Sequence, residues 1–353
     1  MPEIEKIKPY AWSFFDNHLV FEKIAIGCGD NHYFMTGGTG LFGTWILLFF
    51  DWCHEKGFSK PRVTALTRRP DVLPIRKYVS SIQGTTESFD QPDGVFDRLI
   101  HLAAPSARDT FSGMSDRDKL QQMYVGTKNI LEFASSKVTG RSLFTSSGAV
   151  YGGLSVAETG LINELNRSAP LSKMPGIGLG LGKRVAEFLI AEYVRDGSIN
   201  AGIARCFSFI GPGLPTDLHY AAGNFVGQAI DGKDIIINGD GSPLRSFMHL
   251  GDAVYWLLMI LEAGDNGDDF NVGSEDAISI FELAHSVRRI VNPNISIIKL
   301  DQSNKSVGNP ENNYYVPDIS KLRSFFGSGI NTGLDKSILN YASFLKKADP
   351  IFN

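Results

Sequence analysis

Short apolar runs alternate with longer amphipathic stretches over most of the chain. Residues 32–36 read as a strand, 41–56 as a helix and Arg62–Thr67 as a second strand. Phe96–Ala104 is an apolar strand ending in small residues. Thr127–Ser136 follows as a helix and Ser142–Thr145 as the next strand. Further on, Phe188–Tyr193 and Ala253–Glu262 have the apolar character of buried helices. Strands separated by helical segments predict an α/β fold of the Rossmann type. Its parallel, doubly wound sheet binds ligands outside the carboxyl ends of the strands. Ahead of the first strand, residues 1–30 carry Trp12, Phe14, Phe15, Leu19, Val20, Phe21 and Ile24. That is too apolar for a free tail and predicts a short amphipathic helix or arm, packed on the body or on a second subunit.

Composition narrows the class. The 353 residues suffice for one large or two modest domains. Hydrophobic residues make up 43% and charged residues 20%, ordinary for a globular protein. A net charge of −4 leaves no broad basic field for nucleic acid. Cys28, Cys53 and Cys206 lack C-x-x-C spacing and read as reduced thiols of a cytoplasmic protein. The charged Met1–Tyr10 is unlike a signal core, and the Trp45–Phe50 run is too short to span a bilayer, so no membrane partner is expected. No metal-ligand cluster stands out.

Between the first strand and helix lies Phe34-Met-Thr-Gly-Gly-Thr-Gly-Leu-Phe-Gly43, with glycines at 37, 40 and 43. A glycine turn opening a helix lets the backbone approach a pyrophosphate, and the helix start offers it unpaired N–H groups. Gly37, Thr39, Gly40, Leu41, Phe42 and Gly43 are therefore candidate cofactor-binding residues, joined by Leu102 and the small residues Ala103 and Ala104. In this architecture the residue closing the second strand faces the adenosine ribose: an acid suits the 2′-hydroxyl of NAD, an arginine the 2′-phosphate of NADP. Here Thr67 closes the strand and Arg68 and Arg69 follow. The cofactor is NAD or NADP, with a tilt toward NADP. The alternatives for the arginines are solvated surface charge or stacking on adenine.

Later segments are more specific. His101-Leu-Ala-Ala104, Ser146-Ser-Gly-Ala-Val-Tyr-Gly152 and Gly182-Lys-Arg-Val-Ala-Glu187 follow the glycine turn in order. Together they resemble the extended short-chain dehydrogenase/reductase family, in its nucleotide-sugar epimerase/dehydratase branch. The resemblance covers about residues 32–345. It includes Ala204–Pro212, similar to the segment crossing between domains, and Gly239–Phe247, similar to the loop whose arginine grips a nucleoside diphosphate. Beyond the N-terminal arm at 1–31, it implies a dinucleotide-binding domain at 32–205, to which 247–262 return. A smaller α/β substrate domain would comprise 206–246 and 263–345. It also implies a homodimer paired through helices near 121–136 and 183–194, a nucleoside diphosphate sugar as substrate, and a place in surface polysaccharide or sugar-antigen biosynthesis.

In the family a tyrosine four residues before a lysine takes the proton of the sugar hydroxyl. The lysine holds the nicotinamide ribose and lowers the tyrosine pKa, and a serine binds the same hydroxyl. Lys183 and Ser147 match. The tyrosine position is Leu179, and residues 171–182 contain no tyrosine. Pro175–Gly182 carries four glycines and reads as a loop of raised mobility. Other departures are Met123 for an asparagine, Thr85 for an adenine-binding aspartate, Ser208 and Ile210 in the crossing segment, and Gly148 and Ala149 for the dehydratase acid pair. Tyr151, His219, Lys173 or a water are the candidate replacements for the base. Substrate contacts are expected from Ser147, Ser208, Asn224 and Arg245. Three functions stay open: an epimerase or dehydratase with a non-standard proton-transfer residue, a ketoreductase, and a weakly catalytic binder of cofactor and sugar nucleotide.

Overall fold

The computed structural model describes residues 3–73, 77–105, 108–109, 112–153, 160–218, 220–300 and 314–351. The chain begins with α1 (Glu3–Asp16) and α2 (Val20–Cys28), then enters β1 (His32–Thr36), α3 (Leu41–Lys56), β2 (Arg62–Thr67), β3 (Val79–Gln83) and β4 (Arg98–His101). Next come α4 (Asp116–Lys137), β5 (Arg141–Ser147), α5 (Gly178–Arg195) and β6 (Asn200–Cys206). These six strands and the later β11 form one seven-stranded sheet of order β11-β6-β5-β4-β1-β2-β3, in which every neighbouring pair is parallel. The order reverses at β1 and β4, so their carboxyl ends diverge and leave a crevice there.

Helix α3 is apolar on nearly every face, and Trp45–Phe50 are all at most 2% exposed. An all-round apolar helix must be covered on both sides. The sheet covers one side; α1 covers the other, with Phe15 edge-on to Trp45 and Phe49. The N-terminal residues are thus two helices of the main core. Burying side chains such as Phe14 and Phe15 stabilises the fold by about 1.5–3 kcal/mol each.

After β6 the chain forms β7 (Phe209–Ile210), α6 (Ala221–Ile230), β8 (Ile235–Asn238), β9 (Leu244–Arg245) and β10 (Met248–His249). It returns to the sheet through α7 (Leu250–Ala263), packed on α3, β5 and β6, and through β11 (Asp269–Val272). The last elements are β12 (Ile278–Ser279), α8 (Ile280–Val291), β13 (Ile297–Leu300), β14 (Tyr314–Tyr315), α9 (Ser320–Phe326) and α10 (Leu334–Lys346). A second core joins α6, α8, α10 and β8 through Phe225, Val226, Leu283, Val287, Ile338 and Tyr341. The expected substrate domain is corrected at one point. Asp269–Val272 pairs with β6 as the edge strand of the main sheet, because its Phe270 and Val272 are fully buried in the main core.

Residues 178–182 are a second correction. They form the first turn of α5 instead of a loop. The glycines are needed for close packing: a Cβ on Gly180 would lie 2.4 Å from the Ala149 carbonyl oxygen, and one on Gly182 would lie 2.1 Å from Met123 Cε.

Candidate active site

The crevice at the switch point is a cavity of about 420 Å³. One wall is the glycine turn. Gly37 adopts φ +74°, and a Cβ there would sit 2.8 Å from the Ala103 nitrogen. The turn is therefore pressed against the end of β4. A Cβ on Gly43 would lie 2.3 Å from the Gly37 carbonyl oxygen, so the first turn of α3 is held directly against the loop. Gly40 starts the helix in an extended conformation with no side-chain cap. The N–H groups of the first turn, Leu41–Gly43, consequently have no helical acceptor of their own. Gly37, Thr39, Gly40 and Leu41 line the cavity. Phe42 does not; its ring packs edge-on to Phe209 at 4.9 Å, and its contribution is confined to backbone.

The strand ends behind the turn are laced together. Thr36 Oγ1 lies 2.7 Å from His101 Nδ1 and accepts from the Ala103 N–H at 3.2 Å. Lys183 Nζ donates to the Thr145 carbonyl at 2.6 Å. Burial keeps His101 neutral, its pKa pushed down to about 3, and lowers Lys183 to about 8, so the lysine is still a cation at neutral pH. His101 and Lys183 both line the cavity, as do Leu102, Ala103 and Ala104. At the other end the lining is Thr67, Arg68 and Arg69 on one side and Gly84, Thr85, Thr86 and Glu87 on the other. The structure therefore brings the glycine turn, the β4 end, Lys183 and the arginine pair to one cavity.

The residues expected to touch the sugar are less concentrated. Ser147 caps the turn after β5 by accepting from the Ala149 N–H, and its Oγ is 3.4 Å from the Tyr315 hydroxyl. Asn224, on α6, lines a second cavity of about 520 Å³ that meets the first at Leu218. Its Oδ1 is buried with no hydrogen-bond partner among the described residues. Arg245 lies on β9 with its guanidinium 5.9 Å above the Tyr315 ring. Ser208 supplies its carbonyl to the Met248 N–H. His219 lies outside the described residues, and Lys173 is exposed on the segment before α5.

Tyr151 is a correction. It lines neither cavity and is 1% exposed. Its hydroxyl donates to Asn271 Oδ1 at 2.8 Å and accepts from Arg205 Nη1 at 2.9 Å. Arg205 in turn pairs with Glu187 Oε2 at 2.8 Å and Asp269 Oδ2 at 2.5 Å. Desolvation pushes the Tyr151 phenol up to about 12, so this group holds a buried ion network together and takes up no proton. Leu179 stands half-buried on the first turn of α5, one turn before Lys183.

Two further residues were not legible in the sequence; one, Tyr315, lines neither cavity and stands beside Ser147. Tyr315 has no flanking motif and reaches Ser147 only through the fold. A Cβ on Gly148 would come 2.8 Å from its hydroxyl, so glycine at this position leaves room for the tyrosine. Ile7 of α1 is the other. It lines the cofactor cavity, and a Cβ on Gly213 would meet its Cδ1 at 2.7 Å.

Known proteins agree with this architecture. The model of the NAD dependent epimerase/dehydratase family matches residues 33–273. UDP-glucuronic acid decarboxylase 3 of Arabidopsis thaliana is 31% identical over 239 residues, which are 65% of this chain and 64% of that protein. The matched stretch thus spans a little under two thirds of that relative. Among solved structures, MoeE5 in complex with UDP-glucuronic acid and NAD superposes with a TM-score of 0.74 at 24% identity, over 90% of this chain and 99% of that one. UDP-glucose 4-epimerase from Thermotoga maritima, with UDP-glucose, gives 0.72 at 18% identity, over 90% and 99%. At these identities the structures speak for the fold. With the glycine turn, the β4 end and Lys183 assembled around one cavity, and a family model matching most of the chain, this protein belongs to the NAD dependent epimerase/dehydratase family.

Proposed function

We propose that the protein is a nicotinamide-dependent enzyme acting on a sugar carried by a nucleoside diphosphate, as an epimerase or dehydratase with a non-standard proton-transfer residue. The observation that carries this reading is the single cavity with a pyrophosphate-sized glycine turn at one wall and buried Lys183 at another. These residues fit the cofactor: a Cβ at Gly37 or Gly43 would close the cradle, and the helix N–H groups are left for phosphate oxygens. When bound, the nicotinamide accepts or returns a hydride at a sugar carbon. Lys183 would hold its ribose, and the Leu41–Gly43 amides the pyrophosphate. The unpaired Asn224 Oδ1 is available to a sugar or phosphate-linked hydroxyl in the adjoining cavity. Ser147 would bind the reacting oxygen.

One observation favours a ketoreductase as the second reading. Burial pushes the Tyr315 phenol up to about 12, so beside Ser147 it keeps its proton at neutral pH and, a weaker acid than a free phenol, could release it only to an oxygen made basic by arriving hydride. Hydride supplied to a carbonyl carbon and the Tyr315 proton passed to the carbonyl oxygen would give the alcohol, with the phenolate regaining a proton by way of the Ser147 hydroxyl.

Pairing into a homodimer is part of the proposal. Tyr124 of α4 and Phe188 of α5 are 46% and 62% exposed on helices packed side by side, and exposed aromatic side chains on such a pair of helices suit contact with a second copy. The test is a panel of UDP-glucuronic acid, UDP-glucose and dTDP-glucose with oxidised cofactor, and of their 4-keto derivatives with reduced cofactor. Products are read by mass spectrometry. Turnover in the first set supports the epimerase or dehydratase reading, turnover only in the second the ketoreductase. Absence of product in both contradicts the enzyme.

A further inference from the structure

The family description names NAD, and the adenosine end of this cleft does not suit NAD. In NAD the charges lie on the pyrophosphate; the adenosine ribose carries only hydroxyl groups, which an acid at the end of β2 would accept from. That position is Thr67. It is 7% exposed, and its Oγ1 is engaged by the Arg69 N–H at 3.1 Å. The local turn this makes, followed by Pro70, fixes the backbone of Arg68 and Arg69 beside the carboxyl ends of β1 and β3, to which Leu66 and Thr67 are registered.

The charge pattern of the cavity is one-sided. Its described lining contains Arg68, Arg69, Arg108 and Lys183, against Glu87 as the single carboxylate. Arg108 is paired with Asp217 at 3.3 Å, and Lys183 is buried at the nicotinamide end. Glu87 is engaged by Thr86 Oγ1 at 3.0 Å. The two remaining cations, Arg68 and Arg69, both sit at the adenosine end, solvent-exposed and with no ion pair among the described residues. A chain of net charge −4 has thus placed an unpaired arginine pair where NAD has no charge at all.

From this juxtaposition we infer that Arg68 and Arg69 form a 2′-phosphate subsite, and that the cofactor is NADP. The phosphomonoester carries a charge near −2 at neutral pH, and guanidinium groups match its oxygens with paired charge-assisted hydrogen bonds. This rests on the nicotinamide reading of the cavity and refines it.

The experiment is a pair of titrations of the full-length protein, with NADPH and separately with NADH, followed by quenching of tryptophan fluorescence or by calorimetry. NADPH is expected to bind at least about tenfold more tightly, the size of one good charge-assisted contact. The advantage should shrink as salt is raised. The double variant R68A/R69A alters only exposed side chains. It should bring NADPH affinity down to that of NADH while leaving NADH within about twofold. Equal or tighter NADH binding by the native protein overturns the 2′-phosphate subsite and leaves the cofactor reading intact. Equal loss of both cofactors in the double variant overturns it too, because it shows arginines stacked on adenine. Binding of neither cofactor overturns this inference together with the cofactor reading on which it rests.

Discussion

At the carboxyl end of β1 the cleft is shaped by backbone. At the carboxyl end of β5 it is shaped by side chains. The first region is a turn in which Gly37 presses on the end of β4 and Gly43 on the Gly37 carbonyl so closely that neither admits a Cβ. The second is a set of polar groups around Ser147, to which Tyr315 has come in from a distant strand, while Leu179 stands at the position where the resemblance leads one to expect a tyrosine. A backbone cradle leaves few sequence solutions, so it survives as a motif. Proton transfer needs only a hydroxyl at the right point, and that hydroxyl can come from any element the fold brings near.

The largest effect is expected at the cradle. Gly43→Val forces a side chain into the Gly37 carbonyl and should cost about 3 kcal/mol or more of stability in urea unfolding, with cofactor binding abolished. A variant that binds cofactor normally would show that the turn is slacker than its packing indicates. On the side-chain half, Arg205→Leu leaves the buried Glu187 and the half-buried Asp269 without their cation. It should destabilise by about 3–5 kcal/mol in the same measurement. The lower bound applies if solvent reaches Asp269, which is 29% exposed.

Lys183→Ala sharpens the comparison, since Lys183 serves both halves. Its loss should weaken cofactor binding about tenfold to a hundredfold, as expected for a charge-assisted contact in a buried site. The pH dependence has a definite sign. The amine, lowered by burial to about 8, is protonated below that value and neutral above it. If the ammonium holds the ribose, affinity should fall as pH rises through about 8 in the native protein and be flat there in Lys183→Ala. A flat native profile would remove the lysine from cofactor binding.

Tyr151→Phe has the smallest expected effect. It breaks the hydrogen bonds to Asn271 and Arg205 and should cost about 1–3 kcal/mol in thermal or urea unfolding, with cofactor affinity unchanged. A large loss of affinity without loss of stability would return Tyr151 to the site.

The parallel α/β sheet, the glycine cradle, the β4 end and Lys183 were legible because each is carried by a local pattern: alternation of strand and helix, glycine spacing, or a short segment resembling the family's. The first turn of α5 was not, since Gly178, Gly180 and Gly182 carry the local signature of a loop. Only the proximity of Asp116, Ala149 and Met123 makes glycine the residue a helix requires there. Tyr151 sat inside a recognised segment, yet its hydroxyl is held by Arg205 and Asn271, more than fifty positions along the chain. Ile7 reaches the cleft from one end of the sequence and Tyr315 reaches Ser147 from the other, and no spacing rule announces either.

The most direct test of the central claim combines both halves of the cleft in one cuvette. The protein is loaded with cofactor and mixed with each nucleoside diphosphate sugar and each keto derivative of the panel, while the reduced-nicotinamide band and the products are followed. The account predicts that at least one of these changes the band and yields a new sugar nucleotide, and that Ser147→Ala suppresses the change with cofactor affinity retained. Tight cofactor binding with no band change and no product across the panel would contradict it.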